Sequence, residues 1–462
     1  MLPLLAAWVV RGALEDGGAA DRAAYAAGTS PWSWRFADTE DIVAGKVFGD
    51  AAIKADASGL IVTPKRTGRG ELGFPLSRQA DLRRLNLLRL DAISQTGDIS
   101  LVVRPTLADP LVRADLPGLA RPIRLDQMAW HDATGKPVAP PERAAMLRLA
   151  FTLPPDATLT LRGASLARAE GPFPESGMAV PTGLTAEGLL RWRDRQRAFD
   201  PLVTFGDSPA HTDAPGGARW IAPGAYALLL IMAGTIGWRR RERRDAPSDA
   251  AGALSRRPPS RFRAPSDVAN GLLCLVGPLW FIAGLGLGPH VDASAVPMFA
   301  GGVVYGAFLT WIRAIPRWHW LGRGGWRLAG WPLLAIPVAI GIAAVAGHAP
   351  IWPPASRALL YIGWAFFQQW LMLAVVAGLL ARALPRPVAV LLVALAFALL
   401  HTPNGLLMQL CFVAELGWAW WYLHQRALLP VAVAHAAAAV VLQACMAGGV
   451  LRSLEVSARF LS

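Results

Sequence analysis

From about residue 220 onward the chain is dominated by apolar runs of roughly 20 residues, the length needed to cross the hydrocarbon core of a bilayer. Eight such runs can be bounded, at about 221–238, 268–287, 295–313, 328–347, 358–381, 387–401, 405–423 and 428–448. In lipid every backbone polar group must find its partner inside the protein, so runs of this kind are expected to fold as helices packed in a bundle. The preceding 217 residues are mixed in polarity, with turn clusters and short alternating stretches. Two parts with different solvents are therefore expected in one chain.

The connections between the apolar runs alternate in charge. Cationic ones are 239–267 (with "WRRRERR" at 238–244 and "SRRPPSRFR" at 255–263), then the one carrying Arg313, Arg317, Arg323 and Arg327, then Arg382 with Arg386, then Arg426. Between them lie "GPHVDASA", "HAPIWPPAS" and "TPNG", which hold no Lys or Arg. Every second connection is thus cytoplasmic by the positive-inside rule, which puts the N-terminal part and the C-terminal tail on the opposite side. The net charge of +13 is explained by these anchors, and no nucleic-acid partner is expected. The basic "RWRDRQR" at 191–197 lies on the translocated side, where long folded domains largely ignore the charge rule.

The expected organisation is an extracytoplasmic all-β sandwich followed by an α-helical, polytopic membrane bundle of about eight transmembrane helices. Residues 1–24 read as the remnant of a signal or anchor segment, because "MLPLLAAWVV" is short for a span and lacks a basic leader. Residues 25–180 read as the β domain, 181–219 as a helix and linker, and 220–267 as the first span with its basic loop. Accessory spans follow at 268–350, a core at 351–450 and a tail at 451–462. An inner (cytoplasmic) membrane of bacterial type is the expected location.

Within the β domain the strand signals are "GLIVTP", "LNLLRLDAI", "ISLVVRP", "IRLDQMAW", "MLRLAFTL" and "TLTLRGASLA", short runs rich in Leu, Val and Ile bounded by Gly, Pro and Asp. Their succession resembles a galactose-binding-like jelly roll. A glycan would need exposed aromatic platforms, for which Trp32, Trp34 and Trp130 are the candidates, although Trp more often packs in a core. All three cysteines, Cys274, Cys411 and Cys445, fall in apolar runs, so the β domain must hold together without disulfides.

A polar side chain at bilayer depth is costly and therefore informative. Gln368 and Gln369 lie in the fifth run, His401 ends the sixth with Asn404 just beyond, Glu415 lies in the seventh and His435 in the eighth. From 293 to 450 Glu415 is the only carboxylate. Counting about 1.5 Å per helical residue, Gln368, Glu415 and His435 come near the midplane, with His401 shallower. Each alone is explained equally well as interhelical hydrogen bonding. Their concentration on four consecutive helices favours a site, whereas a transporter would call for an internal hydropathy repeat that the chain lacks. His424 reads as interfacial, and His290, His319 and His348 as loop residues.

The order of these pieces resembles the CPBP family, the intramembrane proteases of CaaX-protease and bacteriocin-processing type. That family carries Glu-Glu-x-x-x-Arg, then Phe-x-x-x-His, then a later His-x-x-x-Asn. The resemblance covers about 355–445. Phe397 and His401 keep the second motif and His435 the third, with Ala439 in place of its Asn. Gln368 and Gln369 stand where two glutamates belong, and Leu373 where the Arg belongs. The resemblance implies an intramembrane endopeptidase that needs no cofactor and acts on a protein with a membrane-embedded or tail segment. It implies catalytic roles for His401, His435, Gln368 and Gln369, and substrate contacts from Phe397 and Asn404. An amide cannot serve as general base at neutral pH, so Glu415 is the group expected to supply that function from the neighbouring helix. The alternative is a pseudoprotease that binds a membrane segment or a glycan without cutting.

Overall fold

The computed structural model describes residues 1–462 except 77, 94–96, 119–120, 172, 174–175, 207–219, 246–263, 285–294, 313, 322–325, 450, 457 and 462. The end of the expected helix-and-linker segment (207–219), the basic run 255–263, most of "GPHVDASA", Arg313 and Arg323 therefore lie outside the described residues. The chain divides into two compact units. One comprises residues 14–180 and 191–211, the other 1–13, 181–190 and 212–462.

The first unit is β-rich. One sheet runs, in order, through the strands Ile123–Arg124, Leu87–Ile93, Leu159–Ala167, Gly59–Pro64 and Ala51–Asp56, with Ser33–Arg35 added along Leu159–Ala167. The other runs Pro137–Val138, Trp130–His131, Val112–Asp115, Asp98–Arg104, Met146–Thr152, Arg69–Phe74 and Phe48–Gly49. Every pairing in both sheets is antiparallel. Alternate residues such as Leu60 and Val62 on one sheet and Leu147, Leu149 and Phe151 on the other fall in a single buried cluster. Period-two alternation thus gives each sheet one apolar face, and burying those faces against each other is what holds the unit together. Gly59 opens its strand at φ +121°, and a Cβ there would collide with the Leu161 carbonyl, so that position requires glycine.

Two expectations need correction here. "IRLDQMAW" is not one strand: a single turn of 3₁₀-helix at Leu125–Gln127 separates Ile123–Arg124 from Trp130–His131, which pair in different sheets. Trp32, Trp34 and Trp130 are 1%, 8% and 1% exposed, so none is a platform for a glycan. Their indole N–H groups donate to the carbonyls of Arg78, Pro75 and Leu125, which satisfies the one polar atom each brings into the core.

The N-terminal helix α1 (Leu2–Ala26) covers the segment expected at 1–24 as a signal or anchor remnant. Helix α2 (Ala186–Phe199) starts with the Thr185 hydroxyl accepting from Gly188 N–H. At the end of α2, Asp200 accepts hydrogen bonds from Arg84, Ser176 and the Leu202 N–H. Partial burial by itself raises the pKa of this carboxyl, but those donors outweigh it and hold the value below the ordinary one. Because the folded pKa lies below the unfolded one, the stabilisation is fully present above about pH 4 and is lost as pH falls through the folded value. Asp200→Asn is thus expected to destabilise the β-rich unit at pH 7, with the gap to the parent narrowing below about pH 4. Urea unfolding followed by circular dichroism across that range checks it; a gap independent of pH would refute the coupling.

The second unit is helical. Its helices are α3 (Ile221–Asp245), α4 (Ala264–Leu279), α5 (Ala295–Trp311), α6 (Trp326–Leu333), α7 (Ala335–Ala346), α8 (Ala355–Gln369), α9 (Gly378–Ala383), α10 (Arg386–Leu399), α11 (Gly405–Gln425) and α12 (Leu429–Met446). Five stretches among the described residues are long and apolar enough to cross a membrane: Ile221–Arg239, Pro265–Ala283, Ala355–Ala383, Gly405–Gln425 and Leu429–Met446. Three shorter apolar ones are Ala295–Trp311, Gly330–Ala346 and Arg386–Leu399. The protein is a multi-pass membrane protein.

Four connections expected on one side meet in the structure. Arg382 donates to Asp267 at 2.9 Å and to the Ala314 carbonyl at 2.7 Å, while His319 N–H donates to the Arg426 carbonyl at 2.7 Å. The ends of α4, α5, α9 and α11 are thereby gathered. At the centre of the bundle α8 passes into a π-helical stretch, Trp370–Ala377, in which Leu371 through Ala377 are all buried, before α9 continues the span. A wider turn of this kind shifts the register of the side chains on either side of it, and such turns recur at functional sites.

Candidate active site

Adjacent residues on a helix point about 100° apart, so the two glutamines at the end of α8 cannot face the same way. Gln368 is half-buried and lines a cavity of about 150 Å³. His401, His435, Tyr361, Cys411 and Trp418 line the same cavity. Gln369 is fully buried. Its Nε2 donates to Glu415 Oε2 at 3.1 Å and lies 3.3 Å from His435 Nδ1, so one carboxamide links the acid on α11 to the imidazole on α12.

His401 sits in the turn after α10. Its backbone N–H donates to the Ala398 carbonyl, and its Nδ1 lies 2.7 Å from the Phe397 carbonyl. A carbonyl only accepts, so Nδ1 of His401 carries the proton and the lone pair of the neutral ring is on Nε2. For His435 the tautomer is the reverse. The Gln369 amide donates to its Nδ1, which leaves the proton on Nε2. Phe397 is fully buried and packs edgewise against both imidazoles, with ring centroids 4.8 Å from His401 and 5.4 Å from His435. Trp418 braces His435 from α11 at 5.6 Å. One ring thus fixes the orientation of the other two.

The expected site residues fall into distinct places. Gln368, His401 and His435 share the cavity, so the shallower depth expected for His401 does not separate it from the others. Gln369 and Glu415 lie behind His435. Glu415, expected to supply the base, is fully buried and is not among the residues that line the cavity. Its Oε1 and that of Gln369 have no hydrogen-bond partner among the described residues, an expense tolerated mainly at functional sites. Phe397 supports the rings from beneath and presents no free face to a substrate.

Asn404 caps α11, its Oδ1 accepting from Leu407 N–H at 3.2 Å. Its Nδ2 donates to the Ser453 and Glu455 carbonyls at 2.7 and 3.2 Å. Ala439, at the position where the family pattern has Asn, lines the cavity one helical turn beyond His435. Three further lining residues on α11 were foreshadowed only by their spacing from Glu415: Cys411 and Trp418 lie about one turn either side of it and Ala414 is next to it. Leu454 and Val456, which also line the cavity, carried no signal at all. Among the described residues no group of three or more His, Cys, Asp and Glu side chains is arranged to hold a metal ion.

The Gln368 amide and the His401 and His435 imidazoles thus converge on one small cavity of the helical unit. Residues 350–441 match the family described as type II CAAX prenyl endopeptidase Rce1-like, and this segment of the chain belongs to the CPBP family. The match takes in Gln368, Gln369, Phe397, His401, Glu415 and His435. No curated protein and no solved structure matches the chain.

Proposed function

We propose that the protein is an intramembrane endopeptidase in which His401 is the general base and His435 the principal oxyanion donor. One observation carries this: Gln368, His401 and His435 line a single cavity, with the lone pair of one ring and the N–H of the other both left over from their structural hydrogen bonds. A water bound beside His401 Nε2 gives up its proton to that nitrogen as its oxygen attacks the scissile carbonyl carbon. The oxyanion that forms accepts from His435 Nε2–H and from the Gln368 amide, donors already in place before charge develops. Collapse of the intermediate breaks the C–N bond, and His401 returns the proton to the departing amine. Gln369 and Glu415 are positioning residues that keep His435 in the donating tautomer. In this arrangement the glutamines need no carboxylate in their place.

The gathering of cationic connections at one end supports a cytoplasmic assignment for that end. The opposite end, with the turn 401–404, is then extracytoplasmic, and the eight apolar helices all span an inner membrane of bacterial type. The substrate is accordingly a translocated protein with a membrane-embedded or tail segment.

Parallel substitution in a cleavage assay on reconstituted protein tests the assignment. His435→Ala and Gln368→Glu are each expected to lower kcat by about 10²-fold, since each removes an oxyanion donor. Glu415→Gln is expected to cost only about tenfold, the lower end for a residue that orients a reacting group. A gain of activity in Gln368→Glu would identify a site weakened by loss of a glutamate and overturn the proposed roles.

A further inference from the structure

After α12 the chain turns at Gly448, whose φ of +85° suits glycine and whose N–H donates to the carbonyls of Leu451 and Arg452 at 2.9 and 3.0 Å. The turn sends residues 451–456 back along the bundle without helix and with only an isolated bridge between Ala447 and Leu451. Leu451 is fully buried and so anchors one end. Beyond it the chain is arranged like a peptide held in a cleft. Leu454 and Val456, two residues apart, both line the cavity that holds His401 and His435. The carbonyls of Ser453 and Glu455 both accept from the Asn404 side-chain amide, at 2.7 and 3.2 Å. Glu455 itself points away and is exposed.

The segment is bent at Leu454, and its two carbonyls, both within 3.2 Å of one amide nitrogen, lie closer than the roughly 6.6 Å between alternate carbonyls of an extended chain. It thereby offers two main-chain acceptors to one carboxamide and two apolar side chains to the cavity. A segment that merely packed over a helix end would need neither the spacing nor the carboxamide bridging two carbonyls. We propose that residues 451–456 are an internal occupant of the substrate path, a strap that leaves the cavity when substrate enters. Asn404 is then the clamp that holds the backbone of the strap. The proposal rests on the peptidase reading of the cavity, and it gives that reading a substrate preference: two medium-sized apolar side chains flanking a residue turned away from the cavity.

Cys411 lines the same cavity and reports its occupancy. In the full chain with Cys274→Ala and Cys445→Ala, reconstituted in nanodiscs, N-ethylmaleimide labels this single remaining thiol. Replacing Leu454 and Val456 by Ser removes the apolar hold, and labelling is expected to accelerate about tenfold, the effect of one lost net interaction of hydrogen-bond size. Asn404→Asp, alone, keeps the cap acceptor for Leu407 but deletes both donors to the strap, and is expected to accelerate labelling to a similar degree. A blocked synthetic peptide of the strap's own sequence, Leu-Arg-Ser-Leu-Glu-Val, should slow labelling of the double serine variant again, while a scrambled peptide should not. Unchanged labelling in both variants, or equal protection by the two peptides, would overturn the strap. Labelling reads occupancy and not turnover. Protein that shows the expected rates yet cuts nothing would therefore sink the peptidase reading alone, and protein that cuts but labels identically in all forms would sink the strap alone.

Discussion

His401→Ala is expected to lower the rate of peptide hydrolysis by about 10³-fold, within the range for loss of a general acid–base group. The size of the effect comes from geometry. His401 is the cavity residue whose ring nitrogen is left as a free lone pair, because the Phe397 carbonyl takes the Nδ1 proton at 2.7 Å. Removing the ring deletes the acceptor for the water proton and the donor to the leaving amine together. KM should change little, since the imidazole contributes mainly in the transition state, so the loss should appear in kcat. Phe397→Leu makes a useful companion. It keeps the apolar volume but removes the flat ring that both imidazoles pack against, and should lower kcat by a smaller factor with the backbone acceptor intact. If His401→Ala retains parental kcat while Glu415→Gln abolishes it, the acid is the base after all and the proposed division of roles is wrong.

Trp130→Ala is expected to destabilise the β-rich unit by about 3–5 kcal/mol, the cost of deleting a large buried aromatic. For a unit of this size that is a fall in melting temperature of about 10 °C or more. Trp130 is 1% exposed, and its indole N–H donates to the Leu125 carbonyl at 2.9 Å, bridging the 3₁₀ turn to the next strand. Truncation leaves a cavity and an unpaired carbonyl at once. Leu107→Ala is the control: at 80% exposure it should shift stability by less than about 0.5 kcal/mol. Equal melting temperatures for Trp130→Ala and its parent would show that the indole is not part of the core. The same burial removes the reason for expecting a glycan at this tryptophan.

Much of the architecture was legible in the chain because it depends on local periodicity. Strand "GLIVTP" coincides with Gly59–Pro64, and "MLRLAFTL" with Met146–Thr152 to within a residue, since alternation over six or seven residues is a local property. Where two sheets share a short stretch, local pattern fails. "IRLDQMAW" alternates well enough for a strand, yet its residues belong to both sheets because the chain crosses between them at Leu125–Gln127. The π-helical stretch Trp370–Ala377 was equally unreadable, as uniformly apolar residues carry no phase.

For the site, composition and order went far. Costly polar residues in apolar runs had to be sheltered from lipid, and so His401, His435, Glu415 and the two glutamines could be picked out from the chain alone. What the sequence could not assign was direction. Whether Gln368 or Gln369 faces the cavity, which nitrogen of each imidazole is free, and that Glu415 stands behind His435 depend on how α8, α10, α11 and α12 are rotated against one another. Rotation is set by packing among residues far apart in the chain, such as Phe397 beneath both rings. Hydrophobicity and charge order thus determined the membrane unit, its helices and its candidate chemistry, because transfer energies act residue by residue. Tertiary structure alone decided which of those groups touch, because hydrogen bonds are directional and reach only about 3 Å.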